Sequence, residues 1–292
     1  EVRGAAGAAP GHAQLDEQPG GAAGMTSIDT TECLRRGAIG AFGAIPGTLA
    51  AHPFDVLKMK MQVSGMGLST AIRNISSGRS SLFGAFYQGV GAGVRQKVLT
   101  RGPMFLASEV CTQLCMQHGG LQRQQALLVG SFASGYITGS LAATSEWAKV
   151  QGALGGCSAR TSTAKLLQRY GRGSILRIHG AGLRNGVFDS TFFGSQHLLG
   201  SAGVSAAMSY AAAAAAAVCV DYPLDATVKR LMAAPPEQPV LAPLAATWQL
   251  LRTQRWAAFC GLQAKVAEFS ISYCVTGACG TTLIRLIDRA AG

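Results

Sequence analysis

Charged and amide side chains recur at helical spacing in the short stretch His52–Gln62, which reads His-Pro-Phe-Asp-Val-Leu-Lys-Met-Lys-Met-Gln. Asp55, Lys58 and Gln62 stand at positions i, i+3 and i+7, so a helix would carry all three on one stripe. Pro53 removes a backbone donor and predicts a kink just before them. Because a buried charge is costly unless it is paired, this stripe predicts ion-pair partners on neighbouring helices.

A second and weaker copy of the pattern lies at Thr144–Lys149. It keeps an acid, Glu146, and a base, Lys149, but has threonine where the first copy has proline. The acids of the two copies are 91 residues apart (146 minus 55). An interval of this length predicts a pair of helices rather than a solenoid repeat.

A third copy follows at Tyr222–Arg230, 79 residues further on (225 minus 146), with the acid at Asp225. Val228 stands where the base belongs. Lys229 comes directly after it, but one added residue turns a side chain by about 100° around a helix. The sequence therefore leaves it doubtful that Lys229 reaches the stripe.

The composition favours a membrane protein. The chain has 292 residues, of which 48% are hydrophobic and 13% are charged, with 38 glycines and a mean hydropathy of +0.25. Two glycine pairs, Gly43 with Gly47 and Gly135 with Gly139, are spaced as GxxxG and predict close helix contact. Segments without charge until near their ends, suited to hydrocarbon, are 38–51, 126–143, 204–220 and 271–286.

Helical patterning predicts six long helices, at 33–62, 87–117, 122–153, 182–200, 201 to beyond Pro223, and 259–290. Shorter surface helices are predicted at 69–78, 163–170 and 242–253. Residues 1–24 are rich in Gly, Ala and Pro and predict a disordered tail.

The pattern Pro-x-Asp/Glu-x-x-Lys/Arg-x-Lys/Arg-x-Gln, complete once and degenerate twice, resembles the signature of the mitochondrial carrier family over about residues 38–286. The resemblance implies an all-α membrane protein with six transmembrane helices. They would form three tandem repeats with pseudo-threefold symmetry and short amphipathic helices on the matrix side. The expected divisions are a tail at 1–30 and repeats at 31–119, 120–200 and 201–292.

In carriers of this family the signature charges pair between neighbouring helices and close the matrix side of a central cavity. The resemblance implies a matrix gate made of Asp55, Lys58, Gln62, Glu146, Lys149, Asp225 and Lys229. The opposite gate of the family is incomplete in this sequence. Glu109 keeps an acid without its base, Gln196 replaces the second acid, and Tyr273 is followed by Cys274 with no charge. That side is expected to lack an electrostatic latch.

Arg184 and Asn185 resemble an Arg-Asn stretch of oxodicarboxylate carriers, and Arg101 matches a basic position of the same subgroup. A guanidinium is costly at membrane depth, and its fork fits a carboxylate. Glu268 stands where the sixth helix usually offers a base, with Lys265 one turn earlier. Arg184 could therefore bind a ligand, pair with Glu268 or contact a lipid headgroup, and Lys265 could also pair with Glu268. The substrate-binding residues implied are Gln96, Arg101, Arg184, Asn185, Lys265 and Glu268.

The net charge is +11, and its bases are dispersed through apolar helices, which favours an anionic solute or cardiolipin-rich membrane over nucleic acid. No nucleophile with a base, metal cluster or phosphate loop is evident, so we expect neither an enzyme nor a cofactor. One hypothesis is a multi-pass carrier of the mitochondrial inner membrane that exchanges a di- or oxocarboxylate by alternating access. The alternative is a transport-inactive accessory subunit of a large inner-membrane, respiratory-type complex.

Overall fold

A computed structural model describes residues 28–64, 66–77, 82–87, 90–153, 163–235, 241–255, 259 and 261–291. The predicted tail at residues 1–24 lies outside these ranges. Within them the regular structure is helical, and no strand occurs. The helices are α1 Thr30–Ser64, α2 Leu68–Ser76, α3 Leu82–Phe86, α4 Val90–Gly119, α5 Arg123–Ala153, α6 Thr163–Tyr170, α7 Gly173–Ser201, α8 Ala206–Ala233, α9 Pro243–Gln254 and α10 Leu262–Ala291.

Most predicted helices lie within a few residues of the observed ones, but α7 begins nine residues before the predicted start at Gly182. The extra segment holds Arg177 and His179. Arg177 is 1% exposed. Its guanidinium is satisfied by backbone carbonyls, so the burial of this arginine in the helix is compensated.

The six long helices pack as a closed ring. Helix α1 contacts α4 and α10, α5 contacts α4 and α7, and α8 contacts α7 and α10. Each long helix therefore packs mainly against two long neighbours, and α5 also contacts α8. The shorter α2 lies beside α1, α6 beside α5 and α7, and α9 beside α8. This arrangement encloses a central space that side chains from all six long helices can reach.

Both GxxxG pairs lie at helix contacts, as predicted. A Cβ atom placed on Gly47 would lie 2.5 Å from the carbonyl oxygen of Ser272 on α10, and one on Gly43 would lie 2.7 Å from Cγ2 of Thr276. On α5, Gly135 and Gly139 lie equally close to Asn185 of α7. The missing side chains let the two backbones of each pair approach directly.

Gly47→Ala is expected to destabilise the fold by about 1–3 kcal/mol, because the added methyl group must displace the α10 backbone. The measurement is the melting temperature of the purified protein in detergent. Gly91→Ala is the matched control, because a Cβ atom at this position of α4 meets nothing within 4 Å. The control should be neutral or slightly stabilising, since alanine favours helix over glycine. Equal melting temperatures for both variants would contradict the close packing.

The outer surface of the ring carries large apolar side chains. Leu141 of α5 is 77% exposed, Trp248 of α9 is 69% exposed, and Phe42 of α1 is 63% exposed. Among the described residues, two helical segments are long and apolar enough to cross a membrane, Arg123–Trp147 and Ala206–Ala233. The first contains the predicted uncharged stretch at 126–143, and the second overlaps the one at 204–220.

Candidate functional site: a charged central cavity

The ring encloses a cavity of about 200 Å³ whose described walls are rich in charge. We call it the central cavity. Its acidic wall residues are Asp55, Glu146, Asp189, Asp221 and Asp225, and its basic wall residues are Lys58, Lys97, Arg101, Arg184, Lys229 and Lys265. Acids and bases from different helices thus share one small space.

Arg184 of α7 joins three helices at this site. Its guanidinium donates to both carboxylate oxygens of Glu146 on α5, at 2.6 and 2.8 Å, and to Oδ1 of Asp225 on α8 at 3.1 Å. It also donates from Nε and Nη2 to Oδ1 of Asn185, at 3.0 and 2.7 Å. The two-pronged contact with Glu146 is the strongest geometry available to an arginine and a carboxylate.

Lys265 of α10 forms a second junction. Its Nζ lies 3.0 and 3.1 Å from the two carboxylate oxygens of Asp221 and 3.0 Å from Oδ2 of Asp225. Lys229 reaches the same Asp225 oxygen from one turn further along α8, at 3.4 Å. Asp225 therefore forms ion pairs with three bases, one each from α7, α8 and α10.

A third group of charges connects α1, α4 and α10. Lys58 of α1 lies 3.2 Å from Asp55 on its own helix and makes a short ion pair with Glu268 of α10. Lys97 of α4 contacts the other Glu268 oxygen at 3.4 Å and lies over the Phe269 ring. Glu268 is thus an internal counterion for two lysines.

Arg101 of α4 differs from the other bases, because the described residues give it hydroxyl partners and no carboxylate. Its Nη1 donates to Thr276 at 3.0 Å and its Nη2 to Ser272 at 2.8 Å, both on α10. The guanidinium lies 4.2 Å from the centroid of the Tyr273 ring. Arg101 is 4% exposed and lines the cavity, so its charge is held in position without being neutralised by an acid.

Aromatic side chains fill the ring beyond the cavity, at the end away from the signature motifs. Phe105, Phe192 and Phe193 pack edge to face, with Tyr273 4.6 Å from Phe192 and Tyr210 5.7 Å from it. We call these five residues the aromatic layer. Phe105 and Phe192 are at most 2% exposed, so the layer closes this end of the cavity.

The same end also has one ion pair that the sequence motif did not indicate. Glu109, which the sequence left without a base, lies 3.1 Å from Nη1 of Arg36 near the start of α1. Arg36 in turn donates from Nε to Glu32 at 2.8 Å. Glu109 therefore has a basic partner although its own motif lacks one, because the base comes from α1 rather than from α4. The expectation that this side lacks a charged contact was wrong to that extent.

A protein-family model described as mitochondrial carrier protein matches residues 29–119, the segment from the start of α1 to the end of α4. This segment is therefore similar to mitochondrial carrier proteins. The comparison with curated proteins found no match. The family match agrees with the all-helical fold, and its segment contains the complete first signature.

The structure brings most of the predicted site residues to one cavity. These are Asp55, Lys58, Glu146, Asp225, Lys229, Arg101, Arg184, Asn185 and Lys265, with Glu268 behind the wall. The side chains of Gln62, Gln96 and Lys149 lie outside the described residues.

The pairings differ from those that the sequence suggested. Arg184 pairs with Glu146 and Asp225 rather than with Glu268, and Lys265 pairs with Asp221 and Asp225 rather than with Glu268. Lys229 does reach the signature charges, because its side chain extends back one helical turn to form an ion pair with Asp225. Glu268 instead meets bases from α1 and α4.

Three functional candidates carried no motif that sequence reasoning used: Lys97, Asp189 and Asp221. Lys97 directly follows the predicted Gln96, and Asp189 stands four residues after Asn185. Asp221 stands one turn before Asp225. Asp189 and Asp221 could thus have been found from the sequence, because each stands one helical turn from a predicted site residue.

Arg177 holds the end of α8 against the start of α7. Its Nε donates to the carbonyl of Leu231 at 2.7 Å and its Nη2 to that of Ala234 at 3.4 Å, at the last turn of α8. These carbonyls have no partner within their own helix. The guanidinium also lies over the ring of Tyr170 at 4.6 Å.

Arg177→Met is expected to lower the free energy of unfolding by about 3 kcal/mol, because buried carbonyls lose a charged donor. The melting temperature in detergent measures this. Arg172→Met, at an exposed position one and a half turns earlier, is the control and should change it little. If both variants melt alike, Arg177 does not anchor α8.

Proposed function

We propose that this chain carries a small anionic carboxylate, a di- or oxocarboxylate, across the mitochondrial inner membrane by alternating access. The observation that carries the proposal is Arg101, a base in the cavity wall that is held by hydroxyl groups and an aromatic ring. A guanidinium fixed in this way offers a fork of donors to a carboxylate. The family match supports transport as the general activity.

The surroundings of Arg101 fit one small anion. Lys97 stands one turn earlier on α4 and also lines the cavity, with Asn185 in the facing wall. A space of about 200 Å³ is smaller than the sites that hold drug-sized molecules. We therefore place one carboxylate of the substrate at Arg101 and Lys97, and its polar remainder near Asn185.

The closed ring of six long helices supports a proposal for the membrane arrangement. We propose that all six long helices cross the bilayer as three tandem pairs, with residues 31–119, 120–200 and 201–292 as the repeats. The exposed apolar side chains of α1 and α5 would then face lipid, and Trp248 on α9 would lie at the membrane–water interface. The basic balance of the chain favours anionic lipids, including cardiolipin, around it.

Alternating access requires a barrier on each side of the site. Ion pairs centred on Asp225 lie on the signature side, and the aromatic layer lies on the other. We propose that substrate binding at Arg101 shifts the balance between these two barriers.

Reconstitution into liposomes tests the proposal. Purified protein should exchange internal unlabelled for external radiolabelled succinate or 2-oxoglutarate, at rates well above protein-free liposomes. Nucleotide and phosphate serve as comparison substrates. Absence of uptake of every carboxylate, nucleotide and phosphate would refute the transport function.

One observation favours the accessory-subunit alternative: most cavity bases already bind internal carboxylates, including Arg184, Lys265 and Lys58. In this alternative the network is a static core that stabilises the fold. The alternative predicts that the native protein, extracted in mild detergent, migrates with a large assembly. Migration as a monomer would refute it.

A further inference from the structure

Asp189 is a buried carboxylate that the proposed substrate site does not use. It lies on α7 in the cavity wall and is 2% exposed. Its Oδ2 is buried and, among the described residues, has no hydrogen-bond donor. Since an unsatisfied carboxylate charge is far more costly to bury than a neutral carboxylic acid, a proton at this position removes most of the cost.

The fold makes room for this side chain. A Cβ atom on Gly135 of α5 would lie 2.7 Å from Oδ2 of Asp189. The glycine therefore lets the carboxyl group lie directly against the α5 backbone. The neighbouring Arg184 does not satisfy Asp189, because its donors go to Glu146, Asp225 and Asn185.

The charged and titratable groups around Asp189 come from several helices. Asp189 interacts electrostatically with Arg184 on its own helix, with Asp221 on α8 and with Tyr273 on α10. Across the cavity α4 presents Arg101 and Lys97, α5 presents Glu146, and α10 also presents Lys265. Helices α6 and α9 meet the first turns of α7, where their described bases, Arg169 and Arg252, are exposed. Every one of the cavity bases named here except Arg101 has an acid partner of its own.

Counting the described charges shows what one proton changes. The cavity wall holds six bases and five acids, and Glu268 behind the wall is a sixth acid. The described charges balance when all six acids are ionised. With Asp189 neutral, one positive charge remains, which matches one carboxylate of a bound anion.

We propose that Asp189 binds a proton whenever the carrier holds its anion, so that one proton crosses the membrane with each substrate molecule. This inference rests on the transport function proposed above. The proton leaves hydronium on the entry side and forms an O–H bond with a carboxylate oxygen of Asp189. On the exit side that bond breaks and water accepts the proton. Proton loss restores the sixth negative charge and weakens the hold on the anion, which favours release.

The test uses full-length protein in liposomes loaded with a pH-sensitive dye, with valinomycin and equal potassium on both sides to hold the voltage at zero. The probe is radiolabelled succinate or 2-oxoglutarate, corrected for protein-free liposomes. A lumen more alkaline by one pH unit should drive accumulation to about ten times the external concentration, since one unit is a tenfold proton ratio. Succinate or 2-oxoglutarate entry should also acidify the lumen.

Asp189→Asn, which resembles the protonated side chain, should keep exchange but lose both accumulation and acidification. Asp189→Ser serves the same purpose if the asparagine variant does not fold. Asp29→Asn is the matched control, because it removes a carboxylate outside the cavity and retains a good N-cap for α1. It should behave as the wild type does.

Three results would overturn the inference. Wild-type exchange without accumulation driven by the pH gradient and without acidification of the lumen would refute proton coupling while leaving the transport function intact. Coupling that survives in both Asp189 variants would place the proton elsewhere, with Asp221→Asn as the next variant to compare. Absence of any exchange in the wild type would refute the transport function and the coupling together.

Discussion

Asp225→Asn is expected to destabilise the protein by about 3–5 kcal/mol, the largest loss among single substitutions in the cavity. Asp225 is 2% exposed and forms ion pairs with Arg184, Lys229 and Lys265. Asparagine keeps the shape of the side chain but leaves three buried bases with less negative charge. The melting temperature in detergent should fall by about 10 °C.

Glu32→Gln provides the comparison for this experiment. Glu32 also binds two bases, Arg35 and Arg36, but its side chain is 34% exposed. A partly exposed ion pair contributes about 0–1 kcal/mol, so the melting temperature should change little. If Asp225→Asn melted no earlier than Glu32→Gln, the ion pairs of the cavity would not hold the signature side together.

Arg101→Gln is expected to slow carboxylate exchange by about 100-fold, because the site loses its charged fork, equivalent to about 2–3 kcal/mol of binding free energy. Arg101→Lys keeps the charge without the fork and should fall between the wild type and glutamine. Initial rates of exchange in liposomes measure this order.

Arg123→Gln, at an exposed position at the start of α5, is the matched control and should exchange at the wild-type rate. Melting temperatures must accompany the rates, so that loss of fold is not taken for loss of binding. Undiminished exchange in Arg101→Gln would show that this arginine does not bind the substrate. It would also favour a different basic residue, such as Lys97, as the anchor.

The helical architecture was largely predictable because it depends on local patterns. Helix α6, Thr163–Tyr170, was predicted to the residue, and α1 and α5 to within three residues at either end. The GxxxG spacing identified helix contacts because a missing side chain has the same effect in any close pair of helices. The start of α7 was missed because the burial of Arg177 depends on carbonyls 54 and 57 residues away in the chain.

The residues of the candidate site were easier to predict than their partners. Asp55 and Lys58 belong to a complete motif, and both line the cavity. Which acid meets which base depends on the depth and rotation of each helix, and no spacing within one helix contains that information. Glu268 is an example: its lysines come from α1 and α4, 210 and 171 residues away.

The aromatic layer gives the two ends of the central cavity different responses to physical conditions. Attraction between apolar rings weakens on cooling and gains from excluded salts such as sulfate, whereas exposed ionic contacts weaken as ionic strength rises. Cooling should therefore loosen the end that Phe192 closes. Added electrolyte should chiefly affect the end around Asp55, whose side chain is 32% exposed. Temperature and electrolyte thus offer two ways to perturb one end of the central cavity more than the other.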